Sequence, residues 1–219
     1  MNKLKVLYDL FTTMKNKDIF NGILTAQIHK DDVELFSLRN EFSKNLTTGQ
    51  TKAKISSTLD CDGNTIKHES TNEFAFPHNG ACRPHDFMRH LHHRKDAGCR
   101  FGFKGHLSRL AFFLSILNSL QIEEQQDKAI VISLSDTDLP ADTIAMIRER
   151  MNLACTCEHH GHGLMKEFCS VTKPEFGVKI FANKNYEIEQ IVATFVGTQH
   201  DVADEPHDLI TKAELSLVW

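Results

Sequence analysis

The chain has 219 residues, a net charge of −4 at pH 7, 41% hydrophobic residues and 25% charged residues. These values are ordinary for a folded protein with a real core, and the acidic balance argues against binding nucleic acid through bulk charge. No window reaches the ~18–20 uncharged apolar residues that a membrane-spanning helix needs, and residues 1–18 lack the features of a signal peptide. We therefore expect a cytoplasmic protein with no membrane partner, in which the six cysteines stay reduced.

The first predicted element is a helix over residues 4–16. Its apolar residues recur at spacings of three and four and form one stripe: Leu4, Leu7, Tyr8, Phe11 and Met14. A stripe of this kind is typical of a helix that packs on a neighbouring element. We expect this helix to pack on the strands that follow it, in preference to binding a partner or a membrane surface.

From residue 18 onward apolar residues alternate with polar ones, which indicates β-strands. Four strands are predicted, over residues 20–28, 33–44, 53–61 and 65–76, with a strong hairpin turn at Asp62-Gly63. They form an antiparallel meander of long strands. Its inferred apolar face also contains four polar residues, Ser57, His68, Ser70 and Asn72. These residues either line a ligand cavity in a curled sheet or face water, and the second interpretation is the simpler one.

The second half of the chain is predicted to alternate helices and strands. The predicted order is a buried helix over residues 107–122, a strand over 128–134 covered on both faces, a helix after Asp138 with Ile144, Ile147 and Met151 inward, and strands over 176–181 and 187–196. An acidic link over residues 201–208 precedes an apolar end.

The predicted fold class is therefore α+β: an N-terminal helix on a four-stranded antiparallel β-meander, followed by an α-β-α-β-β half. We expect one domain over residues 1–219, or two subdomains (1–76 and 104–219) joined by a Cys/His-rich segment, 77–106.

Two stretches rich in cysteine and histidine, residues 77–106 and 155–169, stand out from the rest of the sequence. Neutral imidazole and thiolate bind borderline and soft metal ions, so we predict a site for zinc or another transition metal. The candidate ligands are Cys82, His85, Cys99, Cys155, Cys157, His159, His160 and His162.

The spacing of these residues favours ligands from both stretches. One short turn can present Cys82 and His85 to one ion, and in an extended segment Cys155 and Cys157 point the same way. A tetrahedral site with two ligands from each stretch would join the two stretches and stabilise both. Neither stretch has the paired Cys-x-x-Cys zinc pattern. The alternative is that the histidines lie in surface loops and the cysteines are inert and buried.

The sequence also allows two other functions. Segment 83–104 is basic and contains Phe87, Phe101 and Phe103, so the chain could be a metal-free module that binds a ligand or partner through this segment and the curled sheet. Nucleic acid is not the expected partner, because no recognition motif is present. Asp136 and Asp138 follow a buried strand and could serve a Mg²⁺-dependent phosphotransferase or hydrolase, although helix capping explains them more simply.

Overall fold

The computed structural model describes residues 2–61, 63–75, 112–155, 168, 170–200 and 205–219. Within these residues there are three helices and nine strands. The helices are α1 (Lys3–Lys15), α2 (residues 112–119) and α3 (Ala141–Cys155), with a 3₁₀ turn (Asp136–Asp138) before α3. The strands are β1 (Ile19–Lys30), β2 (Val33–Asn45), β3 (Gln50–Cys61), β4 (Asn64–Ala75), β5 (Gln121–Glu124), β6 (Ile130–Ser135), β7 (Thr172–Ala182), β8 (Ile188–His200) and β9 (Pro206–Val218).

The predicted α+β fold class is wrong. The four strands predicted in the first half are present, but they form one side of a nine-stranded sheet with the order β4-β3-β2-β1-β9-β8-β7-β6-β5. Every neighbouring pair of strands is antiparallel. The second half of the chain extends the same sheet through β9, which pairs with both β1 and β8, instead of forming a separate α-β-α-β-β layer.

Two strands were not predicted from the sequence. β5 occupies the end of the segment predicted as one helix over residues 107–122, of which residues 112–119 are helical. β9 occupies the segment predicted as an acidic link and an apolar tail. Leu209, Leu215 and Leu217 of β9 alternate with polar residues, but the acidic residues and Pro206 at its start conceal the strand pattern. Its partners are also distant in sequence, so no hairpin signal indicates it.

Helix α1 lies against one face of the sheet, which we call the helix face. Val6 and Leu10 of α1 are 2% and 5% exposed and pack with Ile130, Ile132 and Ala182 of β6 and β7. On β6 buried and half-buried residues alternate, so only the side that faces α1 is fully buried. The sequence had predicted that both sides of this strand are covered. The core therefore lies under α1 at the β5–β7 end of the sheet. None of the described helices is long and apolar enough to cross a bilayer.

The predicted packing of α1 on β1–β4 is wrong. Leu4, Tyr8 and Phe11 of the predicted stripe are each 67% exposed. The apolar arc of α1 also includes Val6 and Leu10, so it extends over more than half of the helix circumference at ~100° per residue. Because the arc is wider than the surface the sheet offers, periodicity alone does not tell which part of it is buried.

On β1–β4 the helix face is more open. The register pairs Ser57 with His68, Ile55 with Ser70 and Ala53 with Asn72, so the polar residues lie on this face as the alternation predicts. His68 and Asn72 are exposed, and Ile66 beside them is 58% exposed. These observations favour the interpretation that the polar residues face water.

Close approach at the centre of the sheet requires glycine at position 22. Gly22 pairs with Phe42 on β2 and with Leu217 on β9. A Cβ atom at Gly22 would lie 2.7 Å from the carbonyl oxygen of Ser216 and 2.9 Å from the ring of Phe42. The Phe42 ring therefore covers the glycine and fills the space that a side chain would occupy.

Trp219 connects three parts of the fold. Its indole N–H donates a hydrogen bond to the carbonyl oxygen of Ile188 at 2.9 Å, and its ring packs edge-on against Phe20 with centroids 5.2 Å apart. The Lys17 ammonium lies 4.7 Å from the indole centroid and forms an ion pair with Glu187. The segment between α1 and β1 is thus fixed to the β7–β8 hairpin.

The β1–β2 turn is held to the start of β9 by Asp31. Its N–H donates to the carbonyl oxygen of Asp208 at 2.7 Å, and its carboxylate accepts from the Asp208 N–H and from His207 Nδ1, each at 2.8 Å. The hydrogen bond from His207 is the main reason why the pKa of Asp31 lies below its ordinary value. Asp31 also has a positive φ of 53°, which aspartate tolerates better than most residues.

We expect Gly22→Ala to destabilise the fold by about 1–3 kcal/mol, because an added methyl group must displace the Ser216 carbonyl or the Phe42 ring. Gly177→Ala on β7 is the matched control, since its nearest neighbour would be the Thr194 hydroxyl at 3.1 Å. Thermal unfolding of both variants checks this, and equal melting temperatures would contradict it.

We expect Glu187→Gln to reduce the loss of stability in acid. The pKa of Glu187 lies below its ordinary value of 4.5, first because of the hydrogen bond from Lys17 and then because of the one from Asn183. A carboxylate with a lowered folded-state pKa stabilises the fold above its unfolded pKa, and this contribution is lost as pH falls through the folded pKa. Chemical denaturation at pH 7 and at about pH 3 measures the free energy of unfolding of both proteins. The difference in this free energy between wild type and Glu187→Gln should shrink at the lower pH.

Candidate functional site

The predicted metal ligands are outside the part of the chain whose side chains the structure describes. Cys155 is the last residue of α3. The others lie outside the described residues: Cys82, His85, Cys99, Cys157, His159, His160 and His162. The basic segment 83–104 lies outside them too. Among the described residues, no three His, Cys, Asp or Glu side chains are close enough together to hold a metal ion.

Elements that flank the two Cys/His-rich stretches contact each other. α2 follows the first stretch, and α3 leads directly into the second. The Ser115 hydroxyl of α2 lies 2.7 Å from the Thr143 hydroxyl of α3, and Thr143 is only 5% exposed. Phe168, within the second stretch, packs against Phe195 of β8 with centroids 5.6 Å apart. The described elements that flank the two stretches, α2 and α3, are therefore in contact with each other.

A cavity of about 350 Å³ opens on the face of the sheet opposite α1, which we call the solvent face. It lies over β6, β7 and β8. Gly177 pairs with Ser135 on one side and with Thr194 on the other, and Lys179, two residues along β7, pairs with Ser133 and Val192. The missing side chain at Gly177 leaves the space that these neighbours enclose. The lining carries three hydroxyl groups, from Ser133, Ser135 and Thr194, although most of its surface is apolar.

One wall of the cavity carries a fixed carboxylate. Asp138 Oδ2 accepts hydrogen bonds from the Ser135 N–H at 2.9 Å and from the Ser135 hydroxyl at 2.6 Å. The Gln121 amide donates to Oδ1 at 3.5 Å. The bonds from Ser135 lower the pKa of Asp138, so the carboxylate is ionised at neutral pH. A carboxylate can accept about four hydrogen bonds, which leaves capacity on Oδ1 for a further donor.

The hydrogen bonds of Asp138 bear on the two interpretations of Asp136 and Asp138. Ser135 is the N-cap of the 3₁₀ turn, and Asp138 completes a capping box with it. Asp138 therefore caps the 3₁₀ turn, whereas the sequence predicted that it caps the helix that follows, and the bonds with Ser135 account for Oδ2. The phosphotransferase hypothesis stays a prediction without added support.

Opposite charges line this cavity and also the other depressions on the solvent face. Lys179 and Asp138 bring opposite charges to one cavity from two different elements. Two larger depressions, of about 430 and 500 Å³, lie over β1–β4. Their charged side chains include Arg39 and Lys52, which form ion pairs with Glu41 and Glu73 at 3.0 and 3.1 Å. Paired charges of this kind are typical of a solvated strand surface.

Asp138 was predicted from the sequence as a candidate site residue, whereas Lys179, Gly177 and the hydroxyl residues of this cavity were not. Each is unremarkable in its own strand. They meet because β6, β7 and β8 are neighbours in a particular register, and periodicity does not give that register. Gly177 was the available signal, since an isolated glycine inside a strand pattern marks a bulge or a close approach.

Comparisons with known proteins do not assign a family. No protein-family model matches the chain, and no curated protein matches it. Among solved structures, one match is an N-terminal dehydratase from the difficidin assembly line, with 13% identity over 99% of this chain and 84% of that chain. The TM-score is 0.15. Such a low structural overlap supports neither a shared fold nor a shared activity.

Proposed function

We propose that this protein binds a small molecule that carries both a cationic and an anionic group, such as a free amino acid, in the solvent-face cavity. The observation that carries the proposal is the presence of Lys179 and Asp138 on one cavity of about 350 Å³. Pockets of ~300–1,000 Å³ with a few convergent polar groups are typical ligand sites. The class of protein proposed is a binding protein.

Each group in the lining has a role in this proposal. The Lys179 ammonium pairs with the anionic group of the ligand, and the hydroxyl groups of Ser133 and Thr194 donate further hydrogen bonds to it. Asp138 accepts a hydrogen bond from the cationic group through Oδ1. Val192 offers an apolar surface to the carbon skeleton. Because Ser135 and Gln121 already hold the Asp138 carboxylate, little conformational entropy is lost at that group on binding.

Thermal-shift and NMR titrations with the twenty free amino acids test this proposal. Inorganic phosphate, which carries only negative charge, and glucose, which carries no charge, are the comparison ligands. We expect at least one amino acid to bind. Lys179→Ala should weaken that binding about tenfold or more, because a hydrogen bond to a charged group contributes ~1.5–3 kcal/mol. Lys67→Ala is the matched control, since Lys67 is an exposed lysine on β4, at the other edge of the sheet from the cavity.

Two outcomes would count against this proposal. Binding of glucose alone would mean that the hydroxyl groups and not the two charges define the site. Binding that survives Lys179→Ala, or no binding by any amino acid, would mean that the cavity is not a site for a compound with both charges.

The second candidate function is binding of zinc or another transition metal by the two Cys/His-rich stretches. The contact between α2 and α3 supports it, because that contact brings elements that flank the two stretches together. We propose that ligands come from both stretches, with Cys82, His85, Cys155 and Cys157 first. A cytoplasmic location belongs to the same proposal, because thiolates stay free for metal binding in a reducing compartment.

Elemental analysis of protein purified without a His-tag tests this second function. We expect about one metal ion per chain, a stability loss on chelation, and release of metal between pH 8 and pH 5 as the ligands become protonated. Cys155→Ser should lower the metal content, whereas Cys61→Ser, outside both stretches, should not. Less than ~0.2 metal per chain would exclude a stoichiometric site.

A further inference from the structure

Strand β4 forms one edge of the described sheet, with β3 as its neighbour. It is a long strand, and all of its residues except Ser70 are exposed. A long exposed edge strand presents a row of backbone N–H and C=O groups with which a strand of another chain can pair. The backbone of β4 can therefore extend the sheet into a second molecule.

The β3–β4 hairpin determines which backbone groups of β4 point outward. Cys61 pairs with Asn64 across two residues, and the register continues without a bulge to Gln50 opposite Ala75. The pair that flanks a two-residue turn is joined by hydrogen bonds, and such pairs recur at every second position. Asn64 and every second residue after it thus bond to β3. The intervening residues turn their N–H and C=O groups away from β3: Thr65, Lys67, Glu69, Thr71, Glu73 and Ala75.

The side chains of β4 are complementary to themselves about Ser70. Lys67 and Glu73 lie at equal distances before and after Ser70 and share the solvent face of the strand. Ile66 and Phe74 are also equidistant from Ser70, lie on the helix face, and are 58% and 42% exposed. An antiparallel copy of β4 would therefore bring a lysine opposite a glutamate and an apolar side chain opposite another.

We propose that β4 pairs antiparallel with β4 of a second copy of this chain, about a two-fold axis at Ser70. The two sheets become one continuous sheet in a closed, isologous dimer. Lys67 lies opposite Glu73 of the partner subunit, and Ile66 lies opposite the partner's Phe74. The symmetry repeats both contacts. The outward N–H and C=O groups of the two strands face each other in this register and form the ladder between them.

Charge distinguishes this register from its neighbours. The outward groups of two antiparallel copies face each other only when the two-fold axis passes through a residue position. An axis at Glu69 would set two Glu69 carboxylates opposite each other, and an axis at Thr71 would set Glu69 opposite Glu73 of the partner subunit. Like charges directly opposite each other are destabilising. Axes nearer either end of β4 pair fewer residues and leave the apolar side chains without apolar partners. The axis at Ser70 avoids both faults.

The new ion pairs extend a row of charges that already crosses the hairpin. Glu73 forms an ion pair with Lys52 of β3 at 3.1 Å, whereas Lys67 has no ion pair within the described part of the chain. In the dimer each Glu73 carboxylate lies between Lys52 of its own chain and the partner's Lys67. Exposed ion pairs contribute little stability each, so they select the register while the backbone hydrogen bonds hold the strands together.

Sedimentation velocity on the full chain, over about a hundredfold range of concentration around the micromolar, tests the proposal. We expect wild type to shift from monomer to dimer as the concentration rises. Lys67→Glu should weaken the dimer about tenfold or more, because two repulsive contacts replace two attractive ones. Lys44→Glu is the matched control, since it makes the same charge change at an exposed lysine of β2, two strands away from β4.

A mixture of two variants tests the register. Lys67→Glu sets carboxylates opposite each other, and Glu73→Lys sets ammonium groups opposite each other, so each variant should dimerise poorly alone. Mixed in equal amounts they should form a heterodimer, because every glutamate at these positions then lies opposite a lysine. The double variant Lys67→Glu/Glu73→Lys should dimerise by itself for the same reason.

Amide hydrogen exchange, followed by NMR, tests whether the backbone makes the contact. The N–H groups of Lys67, Glu69 and Thr71 point outward, so they should exchange more slowly at high protein concentration than at low concentration. Those of His68 and Asn72 bond to β3 and should change much less.

Three outcomes would overturn the proposal. One is a wild type that stays monomeric, and another is a dimer that Lys67→Glu leaves unaffected. The third is a dimer in which the outward N–H groups of β4 exchange as fast as in the monomer. If the mixture and the double variant both stay monomeric, the register centred on Ser70 is wrong. The cavity lies over β6, β7 and β8, so these outcomes and the titrations with amino acids are independent of each other.

Discussion

The pairing of β1 with β9 joins the two halves of the sheet. The chain forms two meanders, β1–β4 and β5–β9, and this ladder is where they become one sheet. The register runs from Asn21 opposite Val218 to Lys30 opposite Leu209. Gly22, Asp31 and Trp219 all act at this junction, through close packing, a hydrogen-bonded clamp and an aromatic anchor. A shift of one residue would move every side chain of β9 to the wrong face.

The two meanders differ in what covers them. Helix α1 buries the apolar side chains of β6 and β7, whereas the helix face of β2–β4 carries no fully buried apolar side chain among the described residues. The solvent face follows a different division, with paired charges over β2–β4 and the Lys179–Asp138 cavity over β6–β8. The site with unlike charges thus lies behind the best-packed part of the sheet, where the backbone that positions it is most firmly held.

Sequence patterns predicted local structure well and long-range structure poorly. The alternation over β1–β4 gave the strands and the side on which His68 and Asn72 lie, because period and hairpin turns are local properties. It could not give β9, whose partners are far away in the chain, or the part of α1 that is buried. The same limit holds for the site. Asp138 was identified because it follows a strand, whereas Lys179 and Thr194 meet it only through strand register. The Cys/His-rich stretches were identified from composition, and their role stays a prediction.

The order of strands also bears on how the molecule folds. In β1–β4 and in β7–β9 the paired strands are close in sequence, so these ladders can form early and independently, whereas α3 and the second Cys/His-rich stretch separate β6 from β7 in the sequence. The ladder between β1 and β9 must bring together residues from the two ends of the sequence, and such non-local contacts slow folding. The entropy of closing a loop rises by only ~0.6 kcal/mol for each doubling of its length, so the long connection costs little equilibrium stability. The central ladder is therefore expected to form last, and until it does each meander exposes an unpaired strand edge to other chains.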